Sequence, residues 1–310
     1  MSDFLEKFKL YFKNQPDYWE IRESAGEDYK VGYYPISFKA RLSQGHYQHF
    51  DDKGLPLFHS KAGNLVHFCT GMCSFAFAHW EEYLDSKKRS HADYVLKVSD
   101  YLVGMAEKRD SGVWLIMDYD DEEQVNGQPC AMNNGEAISV LCRAYVLTGK
   151  SEYLEAASSL VLAFKNEYGL EGVSGSIKHN GLVWYLEAGK FILNGHNYAL
   201  FGLHELSTLT DDPLHLKLFR DGLNSLCQSV HLFDCGFWSW YWLNEPKYIS
   251  SAMYHNLHST QLMALYRMSD EEVLKKYSNV FRYYAGKPSF RYRAAFTMLK
   301  DKILKTASKV

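Results

Sequence analysis

One pattern occurs four times in this sequence: an apolar helical segment is followed, after a short joint, by a more polar helical segment. The predicted pairs are residues 64–84 with 90–107, 134–147 with 151–167, 193–209 with 213–230, and 255–268 with 270–284. The joints hold helix-capping residues, with Gly149 as a C-cap, Asp270 as an N-cap and Pro213 in a first turn. First helices begin roughly 60–70 residues apart, a period that is typical of helical repeat architectures.

This pattern predicts a mainly α protein, an incomplete (α/α) toroid of about four helical hairpins. The first helix of each hairpin would lie inside and the second outside. The connections at residues 109–133, 169–192 and 231–254 would carry short β-hairpins and gather at one mouth of the ring. We therefore predict a toroid domain at residues 63–310, against which an N-terminal helix and a loop- and strand-rich segment at residues 1–62 pack.

The composition narrows the class of protein. The 310 residues carry a formal net charge of −3, too little positive charge for a general nucleic-acid binder. None of the six cysteines forms a Cys-x-x-Cys pair, and neither a signal peptide nor a run long enough to span a membrane is evident. We expect a cytoplasmic protein with reduced thiols. An apolar stripe in the predicted first helix, at residues 3–14, suggests a possible homodimer.

Two aromatic stretches, each leading into a first helix, are the strongest functional signal. Loops held by a rigid helical scaffold commonly line ligand clefts, and tyrosine with histidine can bind a sugar and move a proton. The catalytic candidates are Tyr241, Tyr254 and Glu187. The candidates for substrate binding are Trp184, Tyr185, Asn194, Trp240, His255, His258 and Asn134.

Several candidates also fit a purely structural role. Asn134 fits a helix N-cap, and Glu187 fits either a turn carboxylate or an ionised base near a helix N-terminus. His255 and His258 lie three residues apart and so share a helix face. No third ligand accompanies them, so we expect no metal; a histidine that orients a tyrosine is the preferred interpretation. No cofactor-binding motif is present either.

These stretches resemble the C-terminal region of the D-glucuronyl C5-epimerase family. The resemblance lies in GEAISVLCRAY at residues 135–145, in WYLEAGKFILNGHNYALFGLHEL at residues 184–206, and in residues 237–266 with the pattern Tyr-His-x-x-His-x-x-Gln-Leu. Residues 30–85 resemble the upstream segment of the family. The resemblance implies an (α/α) toroid with a cleft for a polymer of uronic acid.

The resemblance also implies a reaction, inversion at C5 of glucuronate to give iduronate. A base removes the weakly acidic C5 proton from one face, and an acid returns a proton to the other. Tyrosine can serve if a cation or a hydrogen bond lowers its pKa. By resemblance, Tyr241 and Tyr254 match active-site tyrosines of the family, and Glu187 matches an active-site glutamate.

Two departures from the family pattern matter. Ala188 stands where the family has an active-site tyrosine, and the basic residue that follows the tyrosine matched by Tyr241 is missing from Trp242-Leu243-Asn244. We therefore expect a uronic-acid C5-epimerase-like protein that acts on a glucuronate-containing glycan. The alternatives are a uronate-polysaccharide lyase, which shares the C5 abstraction, and a glycan-binding homologue without catalysis.

Overall fold

The computed structural model describes residue 11 and residues 31–60, 62–118, 127–177 and 181–307. The chain divides into two compact units. The first comprises Met1–Ile21, Lys190–Asn194 and Leu226–Val310, and the second comprises Arg22–Gly189 and Gly195–Ser225. The predicted boundary between residues 62 and 63 lies inside the second unit. The predicted helix at residues 3–14, on which the dimer prediction depended, lies outside the described residues except for Tyr11.

Helices make up most of the described chain, which confirms the mainly α prediction. We number them α1 to α10: Ala40–Ser43, Cys69–Ser86, Arg89–Met105, Ala131–Thr148, Ser151–Val161, Leu193–Leu209, Pro213–Ser229, Ala252–Ser269, Glu272–Gly286 and Pro288–Ala307. Two 3₁₀ turns, Leu162–Lys165 and Val230–Phe233, extend α5 and α7. The closure of the hairpins into a ring stays a prediction.

The four predicted hairpins are α2 with α3, α4 with α5, α6 with α7, and α8 with α9, and all four are present. The first helices are the more buried: α2 and α4 bury most of their residues, whereas α3 and α9 bury a single stripe. One predicted start was wrong. Helix α2 begins at Cys69 rather than residue 64, because Leu65–Val66 pairs with a preceding strand.

Two joints show how the helices end. Gly149 caps α4 in the left-handed conformation, at φ 68°, as predicted for a glycine C-cap. Asp270 was predicted to begin α9 as its N-cap, and this was wrong. It is instead the C-cap of α8, at φ 57°, and its backbone N–H donates to the Tyr266 carbonyl. Aspartate tolerates the left-handed region better than most residues because its short polar side chain can form local hydrogen bonds.

The strands are short and antiparallel. We number them β1 to β9: His49–Phe50, Pro56–His59, Leu65–Val66, Glu107–Lys108, Trp114–Leu115, Met117–Asp118, Gln128–Pro129, Ser174–Ile177 and Leu182–Tyr185. β1 to β3 form one sheet, and β4 with β5, β6 with β7, and β8 with β9 form two-stranded sheets. The connections at residues 109–133 and 169–192, which were predicted to carry short β-hairpins, contain strands in their described parts. In the connection at residues 231–254 only isolated bridges form, such as Trp240 with Ile249.

In the second unit, α4 and α6 approach closely enough to need glycine. A Cβ atom on Gly135 would lie 2.5 Å from the Cα atom of Ala199, and one on Gly202 would lie 2.8 Å from the carbonyl carbon of Gly135. Beside this contact, the guanidinium of Arg143 donates twice to the Glu205 carboxylate, at 2.7 Å each. Both partners are buried, so the crossing is fixed by steric fit and by a charged pair.

Candidate functional site

Half-buried aromatic side chains form a cluster in the first unit. The rings of Tyr241 and Tyr254 lie 4.8 Å apart between centroids, with planes inclined by 53°. The centroid of the Trp242 ring lies 5.7 Å from that of Tyr241 and 5.1 Å from that of Tyr248. All four side chains are partly exposed to solvent. The two tyrosines that the sequence selected as catalytic therefore lie side by side, at a surface that a ligand can reach.

The backbone on both sides holds this cluster in place. Tyr241 donates its N–H to the Tyr248 carbonyl at 2.8 Å, which folds the connection back on itself. Tyr254 lies in the first turn of α8, where its N–H donates to the Ser251 hydroxyl that caps the helix. The phenol of Tyr254 is thus carried by a capped helix and that of Tyr241 by a pinned loop, an arrangement that limits the freedom of both.

Lys190 brings a cation to the cluster, and the sequence reading missed it. Its ammonium nitrogen lies 4.5 Å from the centroid of the Trp242 ring, close enough for a cation–π interaction. The backbone after Lys190 is held against the segment that carries Trp242. The Phe191 N–H donates to Asn244 Oδ1 at 2.8 Å, and Ile192 forms a β-bridge with Trp242. Lys190 follows Glu187, the residue that matches the family's glutamate, by three positions in the sequence. Only the folded chain brings Lys190 beside Trp242.

Two further candidates of the first unit have different surroundings. Trp240 is half-buried and packs against a hydrophobic cluster that includes Trp238 and Ile249. Asn194 is only 2% exposed, and its carbonyl accepts a hydrogen bond from the Gln261 side chain at 3.2 Å. Its predicted contact with substrate was wrong, because the side chain has almost no surface to offer.

Glu187 lies in the second unit and is half-buried. It follows β9 and bridges to Cys130, immediately before α4. Its carboxylate lies against the third residue of α6: a Cβ atom on Gly195 would be 2.5 Å from Oε2. This explains the glycine at residue 195, since any larger side chain there would displace the carboxylate. The N-terminus of α6 is also the end at which a helix favours negative charge.

Trp184 and Tyr185, predicted to touch substrate, are buried in the second unit, and that prediction was wrong. The indole of Trp184 stacks on His196, with ring centroids 3.9 Å apart. The Tyr185 phenol donates to the Leu218 carbonyl at 2.6 Å, and its backbone N–H donates to His196 Nδ1. His196 Nε2 in turn donates to the Gly222 carbonyl at 3.0 Å. Burial lowers the pKa of His196 to about 3, so the imidazole is neutral.

The same construction recurs in the first unit. Trp238 stacks on His255 at 3.6 Å, and His255 Nδ1 accepts the backbone N–H of Ser239 at 3.1 Å. His255 Nε2 donates to the Phe281 carbonyl at 2.9 Å, and burial lowers the pKa of His255 to about 3. The shared face predicted for His255 and His258 is present, because both Nδ1 atoms lie within 3.0 Å of Ser239 Oγ.

Both histidines are nevertheless fully buried, so their predicted contact with substrate was wrong. Asn134, in a third hairpin, was also predicted to contact substrate, and that prediction was wrong because Asn134 is fully buried as well. Its Oδ1 accepts the Ile116 N–H at 2.8 Å, and its amide donates to the Leu160 carbonyl at 3.0 Å. Asn134, His196 and His255 are each the fourth residue of a first helix. Each bonds a carbonyl 26 residues further along, in the following helix or its last turn. They are structural links that repeat with the hairpins.

Among residues 31–60, 62–118, 127–177 and 181–307, no group of three or more His, Cys, Asp or Glu side chains is placed to hold a metal ion. Over the same described residues, no helix combines the length and the apolar character needed to cross a bilayer.

Comparison with known proteins places the chain. A D-glucuronyl C5-epimerase of Caenorhabditis elegans is 30% identical over 216 residues, which make up 61% of this chain and 34% of that protein. An uncharacterized protein of Methanocaldococcus jannaschii is 25% identical over 220 residues, 64% of this chain and 70% of that protein. The unsaturated glucuronyl hydrolase of a Bacillus species superposes with a TM-score of 0.46 at 13% identity, covering 85% of this chain and 64% of that one.

The chain spans only about a third of the Caenorhabditis elegans relative, 34% of its length. The model described as the D-glucuronyl C5-epimerase C-terminus matches residues 109–283, more than half of the chain, and this stretch includes the aromatic cluster and Glu187. The chain therefore belongs to the family of the D-glucuronyl C5-epimerase C-terminus.

Proposed function

We propose that this protein removes and returns the C5 proton of a uronate residue in a glucuronate-containing glycan, as an epimerase. The observation that carries the proposal is the pair of partly exposed phenols, Tyr241 and Tyr254, with rings 4.8 Å apart in a member of this family. Half-exposed aromatic rings suit a sugar, because they cover its apolar faces while each phenol keeps a polar tip.

The chemistry sets a requirement for each phenol. Tyrosine ordinarily has a pKa near 10, so a base at neutral pH needs a neighbouring positive charge or hydrogen bonds to its oxygen. Removal of the C5 proton also leaves negative charge on the substrate carboxylate, which must be stabilised as it forms. A cation beside the phenols meets both requirements.

Lys190 supports the proposal because it supplies such a cation. The family's basic residue is missing after Tyr241, and the Lys190 ammonium, 4.5 Å from the Trp242 ring, is beside the same cluster. In the proposed complex it binds the uronate carboxylate while the rings hold the sugar. Lys190→Met is then expected to weaken substrate binding and slow exchange, whereas Lys190→Arg keeps much of both, since it keeps the charge.

Ala188 keeps two other functions open. Because the family phenol is missing there, a lyase that abstracts the C5 proton and then expels the group at C4 remains an alternative. A protein that binds the glycan without turnover is another. A lyase would release unsaturated, ultraviolet-absorbing chain ends, which neither an epimerase nor a binding protein produces.

Incorporation of solvent deuterium separates these functions. The protein is incubated in deuterium oxide with a glucuronate-containing polysaccharide, and C5 deuterium is measured by nuclear magnetic resonance. Epimerase and lyase both incorporate deuterium or consume the C5 proton, and a binding protein does neither. The absence of C5 exchange and of unsaturated ends, with binding retained, would refute catalysis on this class of substrate.

Substitution of the two phenols tests their role. Tyr241→Phe and Tyr254→Phe remove only an oxygen each, and each is expected to slow exchange by about a hundredfold or more if the phenol transfers a proton. Tyr283→Phe is the matched control, because Tyr283 is 55% exposed on α9 and is not part of the cluster. Unchanged exchange in both phenol variants would remove Tyr241 and Tyr254 from the mechanism.

A further inference from the structure

Helix α10 exposes its large apolar side chains and buries its small ones. Ala294 and Ala295 are fully buried in the hydrophobic cluster of the first unit that includes Trp238. Tyr292 and Phe296, on the solvent side of the helix, are 53% and 62% exposed. A surface helix ordinarily turns its large apolar residues inwards, because their burial stabilises the fold most. The two rings of α10 therefore add little to the core and lie where a partner can reach them.

The same part of the chain concentrates positive charge. Residues 273–300 contain seven lysine and arginine residues and no aspartate or glutamate, whereas the whole chain has a formal net charge of −3. Arg293 and Lys300, both exposed, lie with the rings, because positions 292, 296 and 300 follow one helical turn apart and 293 is beside them. We call Tyr292, Arg293, Phe296 and Lys300 the α10 stripe, which is about 12 Å long at the rise of an α-helix.

The α10 stripe belongs to the same compact unit as the candidate tyrosines. The guanidinium carbon of Arg293 lies 3.9 Å from the centroid of the Phe237 ring. Phe237 is part of the connection at residues 231–254, which also carries Tyr241. On the inner side of α10, Met298 packs on the same hydrophobic cluster as Ala294. The stripe is thus attached to the segment that holds the candidate site and is carried by a packed helix.

Aromatic rings interspersed with cations match the chemistry of an acidic polysaccharide. An exposed aromatic ring covers the apolar face of a sugar, and arginine or lysine binds the carboxylate of a uronate. A second copy of this chain fits poorly, because a two-fold contact between α10 stripes would set cations against cations. Nucleic acid is disfavoured by the negative net charge of the whole chain.

We propose that the α10 stripe is a second binding site for an acidic, glucuronate-containing polysaccharide, separate from the aromatic cluster around Tyr241. This deepens the proposed function, on which the choice of a glycan over other polyanions rests. Helix α10 lies beyond residues 109–283, so the match to the family model does not account for this site. The stripe takes no part in proton transfer. It holds the polymer and so raises the local concentration of uronate residues at the cluster.

Binding is measured by fluorescence anisotropy at pH 7 and low ionic strength, with the full chain and labelled hyaluronan, a glucuronate-containing polysaccharide. Arg293→Gln combined with Lys300→Gln is expected to weaken binding about tenfold and to reduce its salt dependence, because exposed ion pairs are modest and screened by salt. Phe296→Ser, which leaves the charge unchanged, is expected to weaken binding about threefold. The matched control, Lys88→Gln combined with Lys165→Gln, removes two charges from exposed positions of the second unit and is expected to bind like the wild type.

Three results would overturn the second site: unchanged hyaluronan binding in both stripe variants, equal binding of neutral dextran, or tighter binding of single-stranded DNA or anionic phospholipid vesicles. The last would assign the α10 stripe to another kind of partner. Circular dichroism verifies that each variant is folded. The test does not depend on turnover. Stripe-dependent binding without C5 exchange would support the second site and refute the proposed function, whereas exchange with unchanged binding in the stripe variants would refute only the second site.

Discussion

The contact between α4 and α6 provides a sharp test of the fold, because it holds the segment that carries Glu187. Gly202→Ala would place a methyl group 2.8 Å from the Gly135 carbonyl carbon, a separation that real Cβ atoms essentially never show. The obstacle is backbone, so the two helices must move apart. Overpacking of this kind costs about 1–3 kcal/mol, and the better helix propensity of alanine returns at most about 1 kcal/mol.

We therefore expect Gly202→Ala to lower the free energy of unfolding by about 1–2 kcal/mol. Urea denaturation followed by circular dichroism measures this as a lower midpoint at unchanged slope. Gly104→Ala is the matched control: Gly104 is a helical glycine in α3 with nothing within 4 Å of an added Cβ atom. It is expected to be neutral or slightly stabilising. A Gly202→Ala protein as stable as the Gly104→Ala protein would refute the close approach of the helices.

Three further expectations follow from buried groups. Glu205→Gln removes the charged partner of Arg143 and is expected to lower the free energy of unfolding, measured by urea denaturation, by about 3–5 kcal/mol. A decrease below about 1 kcal/mol would contradict the buried ion pair. His196 and His255 are neutral when folded but protonate near pH 6.5 when unfolded, so the free energy of unfolding should fall as pH drops from 6.5 towards 4; a flat pH profile would contradict this. Gly195→Ala should displace the carboxylate beside it and reduce C5 exchange at least tenfold, with unchanged circular dichroism; full activity would exclude that contact.

Helical hairpins were predictable here because their signals are local. Amphipathic periodicity and joint residues such as Gly149 and Pro213 predicted most helix ends to within three residues of where the structure has them. The start of α2 was misplaced because Leu65–Val66 is apolar and short, and only its pairing with β2 makes it a strand. Asp270 was misassigned because the same residue type begins helices and, in the left-handed conformation, ends them.

The candidate site was harder to predict because burial is a property of the folded chain. Tyr241 and Tyr254, selected from the sequence as catalytic candidates, lie side by side and partly exposed. Trp184 and His255, selected from the same aromatic stretches, lie in the core. An aromatic ring with a polar tip suits a wet cleft and a dry hydrogen-bonded core equally well. Lys190 was missed because its neighbour Trp242 is distant in sequence, so no local pattern joins them.

The recurring link at the fourth residue of three of the four first helices, α4, α6 and α8, explains why sugar-site and core signals coincide in this chain. Asn134, His196 and His255 each accept an N–H from the incoming connection and donate to a carbonyl 26 residues later. A side chain at this position needs both an acceptor and a donor, which asparagine and neutral histidine provide. The motif thus fixes each connection to its hairpin. Side chains next to the links can stay partly exposed, as Tyr254 does directly before His255, and these are the side chains that a ligand can contact.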